Sequence, residues 1–354
     1  METWSLDSYT SYILPFLSLL LIVLWMVYRK ESNTWTLQNC PVDLTGKTAV
    51  VTGANSGIGK AVCYELARRG AHVVLGCRNL TQGRKALEDI QKATGNKNLL
   101  LRELDLSSVA SIRRFSQKLL VEEPHIHLLV NNAGICGLPY KTITSDGLEL
   151  TFMTNYLGHF LLTNLLLEGL LSADSARVVN VTSFRHKYGI VDEQHLVGAG
   201  SPLLPQQCYD STKLLLVLFT KELAQRLQGT GVTVNSVEPG IVKTGIMKNY
   251  TWLYRSIFCI LSVFLKVSLD PLSWLLLSLL TLLPLLSPKT AAQGAIPVLY
   301  LSLAEELHGI SGKYFNSKCN LSLPVESARD PGVAHSLWNT SARLINLEKM
   351  IKKK

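Results

Sequence analysis

Charge is scarce in this chain. Lysine, arginine, aspartate and glutamate make up 17% of the residues against 47% hydrophobic ones, which is apolar for a soluble protein. No stretch interleaves arginines with aromatics, so the net charge of +9 does not describe a nucleic-acid surface. A basic protein lying against an anionic membrane is the simpler account. Paired cysteines are missing too. The seven cysteines are scattered, with no Cys-x-x-Cys and no zinc spacing, so no metal site is expected. An odd, scattered set fits a reducing compartment in which most thiols act as small core residues.

Much of the apolar excess lies at residues 12–28 and 252–286. The first stretch is interrupted only by Pro15 and Ser18, and it sits at the short end for a spanning helix. Glu2 and Asp7 precede it, while Arg29 and Lys30 follow at once, so the positive-inside rule puts the rest of the chain in the cytoplasm. A cleaved leader is disfavoured: the basic residues are on the wrong side and no small-residue cleavage site follows. The expected organisation is a membrane anchor over residues 1–30, a linker over 31–45, one α/β domain over 46–320, and a C-terminal helix with a basic tail over 321–354.

Within that domain the chain alternates. Strands are expected at residues 47–53, 72–76, 98–105, 128–132, 177–182 and 232–237. Helices are expected at 58–69, 82–94, 109–121, 147–171 and 209–227. Continuous apolar strands alternating with helices indicate a doubly wound parallel sheet of Rossmann type, covered on both faces. Ligands in such a sheet bind beyond the carboxyl ends of the strands. Beyond the first strand stands Thr52-Gly53-Ala54-Asn55-Ser56-Gly57-Ile58-Gly59. This turn would aim backbone N–H groups and a helix N-terminus at a pyrophosphate. Its Gly-x3-Gly-x-Gly spacing departs from the dinucleotide fingerprint.

The second strand ends Gly76-Cys77-Arg78 and has no carboxylate for a ribose 2′-hydroxyl. Arg78 can pair with a 2′-phosphate instead, and Lys60 could assist, which favours NADP(H). Asp105, after the third strand, is either an acceptor for an adenine amino group or a loop or helix-capping residue. Asn131-Asn132-Ala133-Gly134 ends the fourth strand, leaving room for a cofactor or forming an ordinary turn. Ser183 ends the fifth. Tyr209 and Lys213 share one helical face, and an ammonium near a phenol lowers the phenol pKa, as a proton donor requires. His186 lies close to Ser183, but no Gly-x-Ser-x-Gly elbow surrounds that serine, so His186 reads as lining or surface.

Taken in order, Thr52 through Gly59, Asp105, Asn131 through Gly134, Asn155, Ser183, Tyr209 with Lys213, and Pro239-Gly240 resemble the short-chain dehydrogenase/reductases. Gly76-Cys77-Arg78, Asn155-Tyr156-Leu157-Gly158-His159 and Gly312-Lys313-Tyr314-Phe315 look like the retinol dehydrogenase branch. Ala328-Arg329-Asp330 and Ala334-His335-Ser336-Leu337-Trp338 look most like the member-thirteen dehydrogenase/reductase type beside it. The resemblance implies NADP(H) across the strand ends, held by Gly53, Asn55, Ser56, Gly57, Ile58, Gly59, Arg78, Asp105, Asn132, Ala133 and Gly134. Tyr209, Lys213, Pro239, Gly240 and Thr244 complete that set, with Thr244 at the nicotinamide amide. It also implies Tyr209 as proton donor, Ser183 stabilising the alkoxide, Lys213 on the nicotinamide ribose, and Asn155 holding a relay water. Thr182 stands where relatives often have a second serine, with no loss expected.

The implied activity is hydride transfer between NADP(H) and an apolar, retinoid-like alcohol/carbonyl pair. A steroid or fatty ketone reductase, or a non-catalytic nucleotide-binding scaffold at a membrane or lipid droplet, are the alternatives. The expected partners are a lipophilic small molecule and a membrane, not nucleic acid, with a homodimer left open. The expected location is the endoplasmic reticulum with the domain facing the cytosol, or a lipid droplet. Residues 246–288 form the substrate lid in this family; here they read as a packed lid, a flap dipping into the bilayer, or a hairpin within it. Five Asn-x-Ser/Thr triplets occur, of which Asn180 falls in a core strand by chance.

Overall fold

The computed structural model describes residues 35–137, 142–192, 203–247 and 289–347. The expected anchor, the start of the linker, the lid from residue 248 and the basic tail lie outside the described residues. One compact unit spans Leu37–Lys354; the other, Met1–Thr36, is described only at Trp35 and Thr36. Among the described residues no helix is long and apolar enough to cross a membrane.

The strands are the apolar runs. β1 (Thr48–Thr52), α1 (Gly57–Arg68), β2 (His72–Cys77), α2 (Leu80–Thr94), β3 (Leu99–Glu103), α3 (Val109–Glu122) and β4 (Leu128–Asn131) build the first half. Then come α4 (Leu150–Phe152), a π-helical turn (Met153–Leu157), α5 (Gly158–Leu165), α6 (Leu167–Leu171), β5 (Ala176–Val181), α7 (Pro205–Arg226) and β6 (Val232–Val237). The second half closes with α8 (Ala291–Leu303), β7 (Tyr314–Phe315), β8 (Leu321–Ser322) and α9 (Pro331–Leu344). The sheet order is β3-β2-β1-β4-β5-β6-β7-β8. Every pairing is parallel except β7 with β8. All five residues of β1 are buried, as expected of a strand covered on both faces. The strand order reverses between β1 and β4, so the ligand crevice belongs at their carboxyl ends.

Helix starts follow capping chemistry. Asn79 accepts from the Gln82 N–H at 2.9 Å to open α2, and Thr290 with Gln293 forms a capping box on α8. Asp330 accepts from the Gly332 N–H at 2.7 Å, with Pro331 at the first helical position of α9. Such caps contribute about 1 kcal/mol each. α9 packs on α7 through aromatic side chains: Trp338 lies 4.8 Å from Phe160 and 6.0 Å from Phe219, centroid to centroid. The buried Tyr156 hydroxyl is satisfied by Ser341 Oγ at 2.8 Å. Truncating Phe219 would cost about 3–5 kcal/mol by leaving a cavity at this junction.

The long helix expected at residues 147–171 is broken. The apolar spacing continues through it, but a π-helical turn interrupts the hydrogen-bond ladder at Met153–Leu157, and the helix bends again at Leu166. π-turns of this kind concentrate at functional sites, and this one carries Asn155.

Candidate active site

The glycine turn is sterically committed. Gly53 and Gly57 have φ of +66° and +55°, the left-handed region that side chains disfavour. A Cβ on Gly59 would stand 2.5 Å from both Asn132 Nδ2 and the Gly53 carbonyl oxygen. Ser56 precedes α1 without capping it through its side chain, so the first-turn N–H groups are left for a ligand. A cradle of bare backbone at a helix N-terminus fits a dinucleotide pyrophosphate. Asn55 donates to Gln82 Oε1 at 2.9 Å, tying the turn to α2. Thr244 stands over the turn: its Cγ2 would lie 3.1 Å from a Cβ on Gly57. Ile58 follows in the first turn of α1.

β4 delivers Asn132, Ala133 and Gly134 beside that turn. Asn132 Nδ2 donates to the Thr52 carbonyl at 2.9 Å, and the Asn132 and Ala133 N–H groups both donate to Thr52 Oγ1 at 2.9 Å. Asn131, buried at the end of β4, donates to Asn180 Oδ1 at 2.8 Å, and Asn180 to Thr220 Oγ1 at 2.8 Å. Asn180 is fully buried, in keeping with a chance glycosylation triplet.

Arg78, just beyond β2, is exposed and has no partner among the described residues. Lys60, expected to assist, has its ammonium held by Asp89 on α2 at 2.6 Å. Asp105 is half-buried, and its Oδ1 accepts from the Ser107 N–H at 2.9 Å and the Ser107 hydroxyl at 2.6 Å. That is a loop role, with one oxygen engaged locally, while Ser108 caps α3 by accepting from the Ser111 N–H. Gly240, at φ +82°, packs against Ser317 after the buried Pro239.

Ser183, Tyr209 and Lys213 are brought together. Ser183 lies one residue beyond Thr182 at the end of β5, and its Oγ accepts from the Arg185 N–H at 3.2 Å. The Tyr209 phenol and the Ser183 side chain stand close enough that the serine draws the phenol pKa down. Lys213 Nζ lies 5.6 Å from the Tyr209 ring centroid and donates to the Val181 carbonyl at 2.9 Å. Asn155 locks the floor: Oδ1 accepts from the Ile135 N–H at 2.8 Å, and Nδ2 donates to the Ile135 carbonyl at 2.9 Å and Thr212 Oγ1 at 3.2 Å. Thr182 is buried with its hydroxyl unpaired among the described residues.

The electrostatics correct one expectation. Burial pushes the Tyr209 phenol above its ordinary value, with the neighbouring Cys136 adding to that and the Ser183 side chain opposing it. The Lys213 ammonium's own pKa falls to about 8 through burial, partly offset by Cys136. Desolvation therefore outweighs the cation–phenol attraction expected from the one-turn spacing.

His186 is also corrected. It is neither lining nor surface but fully buried. Its Nδ1 lies 2.8 Å from the Ser183 carbonyl, and Nε2 accepts from the Val325 N–H at 3.3 Å. A bidentate pair from Arg185 Nε and Nη2 to Asp210, 2.6 Å each, clamps the turn after Ser183 onto α7. Neither contact was expected, because the partners lie 139 and 25 residues apart with no local pattern linking them.

A family model described as short chain dehydrogenase matches residues 47–252. The chain is 43% identical to retinol dehydrogenase 13 of Homo sapiens over 311 residues, 87% of this chain and 88% of that one. Among solved structures, an uncharacterized protein from Mycobacterium paratuberculosis superposes with a TM-score of 0.67 at 28% identity, covering 88% of this chain and 97% of that one. A variant of actinorhodin polyketide ketoreductase solved with NADPH gives 0.58 at 25% identity, covering 76% and 95%.

Proposed function

The chain belongs to the short-chain dehydrogenase/reductase family as a retinol dehydrogenase-like oxidoreductase acting on CH–OH groups, and from that premise we propose that it uses NADP(H) and acts on an apolar, retinoid-like alcohol/carbonyl pair. The observation that carries the reading is the meeting of Ser183, the Tyr209 phenol and the Lys213 ammonium, the last 5.6 Å from the phenol ring. It stands at the carboxyl ends of the strands, where this architecture binds its ligands.

When bound, the nicotinamide supplies or accepts the hydride. The chain's own residues manage the proton and the charge. Tyr209 gives a proton to the substrate oxygen in reduction and takes it back in oxidation. Ser183 donates to that oxygen as negative charge develops, which is where a prepositioned donor contributes most. Lys213 would hold the nicotinamide ribose, and Asn155 anchors the loop after β4 through Ile135. Gly53, Asn55, Ser56, Gly57, Ile58 and Gly59 receive the pyrophosphate, with Asn132, Ala133, Gly134, Pro239, Gly240 and Thr244 around the remainder. Asp105 offers its second oxygen to the adenine.

NADP(H) rather than NAD(H) is supported by Arg78. It is exposed, has no partner among the described residues, and follows a strand whose end lacks the carboxylate that a ribose 2′-hydroxyl would use. The apolar substrate class is supported by the 43% identity to a retinol dehydrogenase. The test is Tyr209→Phe in the full chain. Turnover of retinal with NADPH should fall by about a thousandfold or more, at the upper end for a lost acid–base group, while NADPH still binds. Unchanged turnover refutes the assignment.

A further inference from the structure

The site contains a connection that the proton and hydride chemistry above does not use. His159, four residues past Asn155, is fully buried. Its Nδ1 lies 2.9 Å from the Asn155 carbonyl oxygen. A carbonyl only accepts, so Nδ1 carries the proton and Nε2 is bare. Nε2 stands 3.0 Å from Thr52 Oγ1. That hydroxyl already accepts from the Asn132 and Ala133 N–H groups at 2.9 Å each. Its own proton therefore goes to the imidazole, since the competing Val130 carbonyl is farther, at 3.4 Å. Each group has one role, and none can reverse without leaving a buried donor or acceptor unpaired.

The partners belong to different elements. Thr52 immediately precedes Gly53 of the nucleotide turn. Asn155 lies in the π-helical turn Met153–Leu157 and bonds the Thr212 hydroxyl at 3.2 Å, next to Lys213. We propose that His159 is a positioning residue that joins the glycine turn to the Asn155 turn, so that the nucleotide cradle and the proton-handling side of the site hold their geometry as one unit. Resting on the nicotinamide reading above, the inference adds a coupling between cofactor binding and turnover. Burial supports it by keeping the imidazole neutral: the His159 pKa falls to about 4, opposed by the Asn155 carbonyl bond and aided by the Lys213 charge.

The chain itself suggests how to cut the link at one end. Asn164, on the same helix, donates its amide to the carbonyl of Phe160 four residues earlier at 2.8 Å. His159→Asn can therefore keep the bond to Asn155 and lose only Thr52. Thr52→Val removes the other end, and Thr52→Ser keeps the hydroxyl.

The experiment uses the full chain in detergent and reads NADPH affinity by fluorescence, kcat with retinal, and melting without nucleotide. His159→Asn should weaken NADPH by about tenfold and lower kcat as well, as for one lost buried hydrogen bond, and Thr52→Val, which also strips the acceptor from the Asn132 and Ala133 N–H groups, should cost more. The double variant should be little worse than Thr52→Val alone, because that variant already cuts the link. Thr52→Ser should recover most of the loss. Additive losses, or lower melting with affinity and kcat intact, overturn the coupling and leave a packing role. The ¹⁵N imidazole spectrum of the wild-type chain gives a check independent of variant folding. It should show neutral His159 protonated at Nδ1, and protonation at Nε2 overturns the proposal. A wild-type chain that binds neither NADPH nor NADH instead overturns the nicotinamide reading itself.

Discussion

The two ends of the sheet carry similar residues under opposite conditions. At the carboxyl end, Lys213 and His159 are 3% and 0% exposed, and each hydrogen bond has one possible direction. At the amino end, Lys47, His125, His127, Glu123 and Asp174 ring an open cavity of about 390 Å³. There Lys47 Nζ meets Asp174 at 2.8 Å and His127 Nε2 meets it at 3.4 Å, but the Asp174 side chain is 68% exposed. Water screens the second set and not the first. The contrast separates residue identity from consequence: a histidine or lysine matters to the chemistry where burial denies it alternative partners.

The largest expected effect tests that denial directly. The His159 pKa falls from an ordinary 6.5 to about 4 because burial penalises the charged ring. The unfolded chain takes up the proton first, so stability is full above about pH 6.5 and is lost as pH falls toward 4. The shift amounts to roughly 3 kcal/mol by pH 4. Denaturant titrations from pH 7 to pH 4 should show the decline, and His159→Asn should flatten it. His127, at the amino end, is shifted the same way by burial and by Lys47, with Asp174 opposing; replacing it should change the limb far less. An acid limb unchanged by His159→Asn would erase the distinction between the two ends.

An exposed residue at the carboxyl end gives the next effect. Arg78→Asp exchanges the cation proposed to meet the 2′-phosphate for an acceptor. NADPH should weaken relative to NADH by about ten- to a hundredfold, the scale of one or two charge-assisted hydrogen bonds. Parallel binding titrations of the two cofactors decide it. Equal loss of both, or of neither, removes Arg78 from the 2′-phosphate.

These sites differ in how far the sequence exposes them. The first six strands are readable because each carries an apolar stretch between helical segments, and β6 matches residue for residue. β7 and β8 are two residues each, too short for any period to register. Ser183, Tyr209 and Lys213 were readable as an ordered set carried by family resemblance, whereas the Thr52–His159 bond spans 107 residues and has no local pattern. The π-turn was hidden because the apolar spacing on either side of it is that of an ordinary helix. Lys60 misled for a related reason: its neighbours in sequence are the glycine turn, but its partner, Asp89, comes from the next helix.

The smallest effect belongs to the amino end. Lys47→Ala removes the ammonium that Asp174 and the cavity share. Asp174 loses a hydrogen bond and an opposite charge, the causes that hold its carboxyl below the ordinary carboxylate range. Because that carboxylate stands mostly in water, hydration replaces the lost partner, and the melting temperature should shift by no more than about a degree or two. Turnover and NADPH affinity should be unchanged, since β1 runs its whole length between Lys47 and the glycine turn. Melting in low and high salt is the sharper measurement: the wild-type advantage should disappear in salt. A large, salt-independent loss would mean that the open cavity is as dry in solution as the crevice at the other end, and burial could no longer explain why only one end carries the chemistry.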